Sequence, residues 1–112
     1  HARARSYAET DWGRIAGLYD RLATAMPSPV VELNRAIAHG MAFGPAAGLG
    51  LIEALEAGGA LDGYAPLPAA KGDALFRAGR LAEARFAFAE AARLTRNERE
   101  RDFLLGRAAA CG

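Results

Sequence analysis

Apolar side chains recur at three- and four-residue intervals along most of the chain, which is the spacing of an amphipathic helix. The first series contains Trp12, Ile15, Tyr19, Leu22 and Met26. No segment alternates apolar and polar positions with β-branched residues, as a half-buried strand would. The pattern therefore predicts an all-α chain of about six helices.

Capping residues, prolines and glycines set the expected helix boundaries. Ser28 is a good N-cap, and Pro29 suits the first position of the helix that follows. Gly79 is expected to end the fourth helix. Trp12 and Tyr19 should pack the first helix onto the second. The predicted helices span residues 11–25, 30–41, 45–57, 67–78, 81–94 and 97–110.

A spaced set of small and apolar residues occurs twice. The earlier copy is Ala47, Leu51 and Ala54, and each of these residues precedes its counterpart, Ala84, Phe88 or Ala91, by 37 residues. Further along the chain, the pair Leu105-Gly106 follows the similar pair Lys71-Gly72 by 34 residues. A helix, a glycine turn and a second helix at this period are typical of a tetratricopeptide (TPR) repeat. The pattern predicts antiparallel helix pairs stacked as a short right-handed solenoid. The second copy matches the TPR layout more fully, and we assign structural roles to its residues, which are Gly72, Leu75, Gly79, Ala84, Phe88 and Ala91.

Length and composition favour one globular domain spanning residues 1–112, because 52% of the residues are hydrophobic and 24% are charged. The net charge of +1 gives no electrostatic reason to expect nucleic acid or membrane as a partner. Cys111 is the only cysteine, which suits a cytoplasmic location. Because the chain opens with His1 rather than methionine, we expect it to be a fragment of a longer protein.

Candidate catalytic residues are few. His1 and His39 are the only histidines, and no cluster has the spacing of zinc ligands. Ser6 and Ser28 are the only serines, and no nucleophile elbow or phosphate-binding glycine loop is present. We therefore expect no enzyme activity, no metal and no cofactor.

The expected binding surface is the concave groove that the first helix of each pair lines in a TPR array. Mixed charge and aromatic residues there suit a protein partner. Asn34 and Arg35 have a competing structural interpretation, in which Asn34 bonds a neighbouring loop or helix end and Arg35 pairs with an acid such as Glu32. The candidate partner-binding residues are Glu32, Arg35, His39, Asp73, Arg77, Phe103 and Arg107.

Four segments together resemble a known family: TDWGRIAGLYDRL, PSPVVELNRAIAHG, GPAAGLGLIEALE and FRAGRLAEARFAFAEAARLTRNERERDFL. The series is similar to the C-terminal, TPR-containing extension of a subgroup of extracytoplasmic-function (ECF) RNA polymerase sigma factors. PSPVVELNRA, residues 27–36, is the specific part. The chain departs from the repeat pattern at Arg96, where a TPR usually has proline, and at Arg35, where a small residue is usual.

The resemblance implies a parent protein with two upstream domains, one binding core polymerase and the other a helix-turn-helix that reads the promoter. Contact with DNA would then occur only through those absent domains. This chain would regulate transcription initiation through protein contacts with the sigma domains, the polymerase or a regulator. Two alternatives remain: a free-standing TPR adaptor, and a small-molecule sensor or enzyme that would have to use Asn34, Arg35 and His39.

Overall fold

The computed structural model describes residues 10–112, and over that range it is all-α with six helices. The fold class predicted from the apolar spacing is therefore confirmed. Each helix end lies within two residues of its predicted position. The helices are α1 (Trp12–Ala25), α2 (Pro29–Phe43), α3 (Pro45–Gly58), α4 (Pro66–Arg77), α5 (Leu81–Leu94) and α6 (Glu98–Ala110).

Local capping chemistry explains these boundaries. The Ser28 hydroxyl accepts a bond from the backbone N–H three residues on at 3.5 Å, and Pro29 occupies the first turn of α2. Gly79 adopts φ +80° directly after α4. The N–H of Arg80 then reaches back to the carbonyl of Leu75 at 2.9 Å, which satisfies a free carbonyl of the last turn.

The turn between α5 and α6 uses a buried hydroxyl. Asn97 accepts a hydrogen bond from the N–H of Glu100 at 2.9 Å, as an N-cap should. The Glu100 carboxylate accepts from the Thr95 hydroxyl at 3.1 Å, and Thr95 in turn accepts from the N–H of Asn97 at 3.3 Å. Arg101 donates to the Thr95 carbonyl at 2.8 Å, so side chains fix the angle at which α6 leaves α5.

Each helix packs against its neighbour in sequence, and α2 also touches α4. One cluster of buried side chains runs from α2 to α6, with Phe88, Ile52 and Leu75 as its largest fully buried members. Ala84 and Ala91 are completely buried, as the repeat pattern predicted. The right-handed superhelical path of the stack stays a prediction.

Glycines allow two close approaches between helices. A Cβ on Gly72 in α4 would lie 2.8 Å from two ring carbons of Phe88 in α5. A Cβ on Gly48 in α3 would lie 3.0 Å from the Cα of Gly40 in α2. Because a side chain at either glycine would push the helices apart, these residues set the spacing of their pairs.

The predicted inward face of α1 is only partly correct. Ala16 is the buried residue of this helix, while Trp12 and Tyr19 are half-buried. Leu22 and Met26 are 38% and 65% exposed, although the apolar spacing placed them inside. The main helix neighbour of α1 is α2, and one neighbour cannot cover the whole apolar side of a helix.

The apolar spacing of Val30, Leu33, Ile37 and Met41 likewise predicts one inward face for α2, and the same correction applies there. Val30 and Ile37 are 42% and 40% exposed, whereas Leu33, Ala36 and Ala38 form the buried side. Helix faces made of alanine can approach one another closely. The alanines therefore form the contacts between helices, and the larger apolar side chains lie at the edges of those contacts. Within residues 10–112, no helix is both long and apolar enough to span a bilayer.

Candidate interaction groove

The first polar cluster lies where α1 meets α2. The Asp20 Oδ1 atom accepts a hydrogen bond from Arg35 Nε at 2.6 Å and lies 2.8 Å from His39 Nε2. Arg35 Nη1 also donates to Glu32 Oε1 at 3.2 Å, which is the acid pairing expected from the sequence. We call these four residues the seam cluster, since they join the two helices.

Hydrogen bonds within the seam cluster shift the pKa values of Asp20 and Arg35. The Arg35 hydrogen bond, followed by that of His39, holds the pKa of Asp20 below its ordinary value. The same carboxylate raises the pKa of Arg35. His39 is well packed: its side chain is 18% exposed, and its ring meets Phe43 edge-on at 5.3 Å between centroids. The cluster therefore holds α1 against α2.

The second polar cluster joins α4 to α6. Asp73 accepts hydrogen bonds from Arg77 Nε at 2.8 Å and from Arg107 Nη2 at 3.0 Å. The Arg107 guanidinium also lies over two rings, 4.6 Å from the centroid of Phe88 and 5.3 Å from that of Phe76. Asp73 and Arg107 are 34 residues apart, so one repeat period brings them into contact.

Two clefts open along the side that α2, α4 and α6 share, and together we call them the groove. The first encloses about 460 Å³, including its open mouth. It lies between α2, α3 and α4, with Ile37, Met41 and Ile52 among its apolar walls. Asp73 and Arg77 supply its charged groups.

The second cleft of the groove encloses about 580 Å³ between α2, the start of α4 and α6. Ile37 lines both clefts, and Leu104 and Glu100 form the α6 wall of the second. The groove can therefore receive apolar side chains on an alanine-rich floor. Arg77, with a 42% exposed side chain, can bind an anionic group at its edge.

The predicted groove residues divide into three sets. Asp73 and Arg77 line the groove, whereas Glu32, Arg35 and His39 belong to the seam cluster and face α1. The remaining two lie on α6 outside the lining: Phe103 is 62% exposed, and Arg107 is held by Asp73 and the aromatic rings.

The sequence analysis did not assign three of the residues that form these sites. Ile37 and Met41 follow the apolar spacing of α2, and that spacing does not separate a core position from a groove position. Asp20 lies on α1, 15 residues before Arg35, and no local pattern links the two. Asn34 is exposed, and within residues 10–112 its side chain makes none of the hydrogen bonds that we expected.

The Ser28 hydroxyl and the Cys111 thiol, two candidate nucleophiles, make structural contacts. Residues 10–112 contain no group of three or more histidine, cysteine or acidic side chains placed to hold a metal ion. The Ser28 hydroxyl caps α2, and the Cys111 thiol is buried and donates to the Arg107 carbonyl at 3.3 Å. What the surface offers to another molecule is apolar area and charge.

Comparison with known proteins gives one informative similarity. The chain is 42% identical over 104 residues to an uncharacterized protein of Rhizobium meliloti. The alignment covers 93% of this chain and 24% of that protein, so the chain spans about a quarter of the relative's length. No family model matches the chain, and no solved structure gives a significant match.

Proposed function

We propose that this chain is the C-terminal helical-repeat domain of an ECF-type sigma factor and regulates transcription initiation in the cytoplasm. It does so through contacts with the sigma domains, core RNA polymerase or a regulator. The observation that carries the proposal is the groove, where the exposed Ile37 and Arg77 border an otherwise alanine-rich surface. Such a surface suits a protein segment better than a small polar substrate.

The resemblance supports the sigma-factor assignment at specific positions. PSPVVELNRA spans the start of α2, where Ser28 caps the helix, Leu33 and Ala36 are buried, and Arg35 bonds Asp20. Because several of its residues have different structural roles, this segment supports the assignment more specifically than the general repeat pattern does. The Rhizobium relative adds that a similar segment exists within a protein about four times as long.

Binding would work through one apolar contact and one charged contact. Ile37 and Met41 present apolar area to an incoming side chain. Arg77 uses its Nε for Asp73, and the rest of its guanidinium donors can pair with a carboxylate of the partner. A partner that binds only one arrangement of the sigma domains shifts the population towards that arrangement.

The test is the affinity of the purified chain for core RNA polymerase and for the sigma domains of its own gene product. We expect binding to at least one of them, weakened about tenfold by Arg77→Glu, as for a charged contact at an interface. Arg21→Glu is the matched control, because Arg21 is an exposed arginine on α1 away from the groove.

Each other outcome contradicts part of the proposal. No binding to either protein would exclude the sigma domains and core polymerase as partners, and would leave either a regulator or the free-standing adaptor role. Equal loss of affinity in the Arg77 and Arg21 variants would mean that general charge, rather than the groove, drives the contact.

A further inference from the structure

The first cleft of the groove reaches the core between two helix pairs. Helices α2 and α3 pack closely on each other, as do α4 and α5, whereas α2 and α4 touch only slightly. Gly40 and Gly48 line the cleft where α2 meets α3. Ala36 and Ile52, which are 0% and 1% exposed, form part of its wall. The cleft is therefore a recess that a narrow molecule can enter.

The size and the walls of this cleft suit a small aliphatic ligand. Its volume of about 460 Å³, including the open mouth, lies in the lower half of the range for small-molecule sites, about 300–1,000 Å³. The described lining contains aliphatic side chains such as Ile37 and Met41, and it contains no aromatic ring. Met41 is unbranched and flexible, so it can adapt to the shape of a ligand. An aliphatic chain fits these walls better than a ring system, which would have no ring to stack on.

The mouth of the cleft has one positive charge in excess. Asp73 and Arg77 are the charged residues of the described lining. Arg77 Nε donates to Asp73 Oδ2 at 2.8 Å, and Arg107 Nη2 donates to Oδ1 of the same carboxylate at 3.0 Å. Because two guanidinium groups share one carboxylate, this cluster attracts an anion.

Arg77 offers this charge in a form that binds a carboxylate. Its two Nη atoms donate to no acceptor within residues 10–112, and its side chain is 42% exposed. A guanidinium binds a carboxylate through two parallel N–H···O bonds. A monoanion matches the single excess charge, whereas a dianion such as a phosphate monoester would be repelled more strongly by Asp73.

We propose that the first cleft binds a small aliphatic monocarboxylic acid and that this ligand excludes the protein partner from the groove. The carboxylate pairs with the free donors of Arg77, and the aliphatic chain lies along Ile37 and Met41. The exclusion rests on the proposed function, in which a partner uses the same donors and the same apolar area. Because the two cannot bind together, each lowers the apparent affinity of the chain for the other.

The test titrates decanoate, below its micelle concentration, into the purified chain and follows the heat of binding. We expect one decanoate per chain. Arg77→Gln should weaken it at least about tenfold, as for the loss of a charged contact, and Ile37→Ser should weaken it about fivefold. Decan-1-ol, which has the same chain without the carboxylate, should bind at least about tenfold more weakly.

Val30→Ser and Arg99→Gln are the matched controls. Val30 is 42% exposed on α2, Arg99 is exposed on α6, and neither lines the cleft. Both variants should bind decanoate as wild type does. The proposal is overturned if decanoate does not bind, if several molecules bind per chain, or if the control variants lose as much affinity as Ile37→Ser and Arg77→Gln.

A competition measurement tests the exclusion separately. At about ten times its dissociation constant, decanoate should weaken the binding of the chain to core RNA polymerase or to the sigma domains about tenfold. Unchanged binding of that protein would overturn the exclusion. If neither protein binds the chain, those two partners are lost from the proposed function, while the decanoate titration still decides whether the cleft is a carboxylate site.

Discussion

At the scale of single residues, the core depends on matching one large side chain with small ones. Phe88 is 1% exposed, and its ring lies against the backbone of Gly72 and near the Arg107 guanidinium. Ala84 and Ala91, on the same helix, have no exposed surface. Because so much of the buried surface is alanine and glycine, each large side chain carries a large share of the packing.

Gly72→Ala is expected to destabilise the protein, although alanine favours a helix more than glycine does. The new Cβ would lie 2.8 Å from the Phe88 ring, and overpacking of this kind costs about 1–3 kcal/mol. Urea unfolding followed by circular dichroism measures the effect. Gly50→Ala in α3 is the control, because nothing lies within 4 Å of its Cβ position. That variant should gain up to about 1 kcal/mol. Similar stability of the two variants would contradict the packing account.

Arg107→Ala should cost about 1–2 kcal/mol of unfolding free energy, since it removes an ion pair and a cation–π contact together. The side chain bonds Asp73 and lies over Phe88, and it is only 29% exposed. Arg99→Ala on the exposed side of α6 provides the control and should stay within about 0.5 kcal/mol of wild type. If both arginine variants unfold at the same urea concentration, Arg107 has no structural role. Arg107 would then again be a candidate partner-binding residue, as the sequence predicted.

At the scale of helices, sequence reasoning located the elements better than their faces. Helix ends depend on local signals such as Ser28, Pro29 and Gly79, which are readable without a neighbour. The buried side depends on which helices pack there, and large apolar residues do not reveal it in an alanine-rich chain. Ile37 and Met26 were therefore placed inside, whereas the structure exposes both.

Helix α1 tests how much charged contacts contribute to holding one helix against the next. Its buried residue Ala16 lies outside the main core cluster, which begins at α2. The seam cluster supplies charged contacts through Asp20, which pairs with Arg35 and His39. Asp20→Asn should lower the unfolding free energy at neutral pH by about 0.5–1 kcal/mol, the range of a partly exposed ion pair.

The pH dependence follows from the lowered pKa of Asp20. In acid, the unfolded aspartate takes up its proton near 3.8, while the folded one resists protonation to lower pH. The contribution to stability is complete above that value and is lost as the pH falls through the folded pKa.

Wild type should therefore keep its advantage over Asp20→Asn from neutral pH down to about pH 4 and lose it as the pH falls further through the folded pKa, so that the two converge in acid. Urea titrations across this range measure it. Asp62→Asn, in the exposed turn between α3 and α4, should run parallel to wild type. Parallel curves for Asp20→Asn and wild type would show that the seam cluster adds no stability.

At the scale of the whole molecule, α4 is the central element, since it packs on α3 and α5 and lines both clefts of the groove. Asp73 and Arg77, which the repeat pattern assigned to a concave face, line the first cleft of the groove. The pattern could not place Arg35 and His39, because the first helix pair follows α1 and its polar face turns to that helix. Predicting a site between successive helices requires the angles at which those helices pack, and these cannot be read from one sequence.

The most direct test of the sigma-factor proposal is to tag the native gene in its source cells and purify the product. Mass spectrometry then gives its mass and the proteins that accompany it. The account predicts a product several times heavier than the 11.8 kDa of this chain, with the large subunits of core RNA polymerase bound in comparable amounts. A product near 11.8 kDa without polymerase subunits would contradict it.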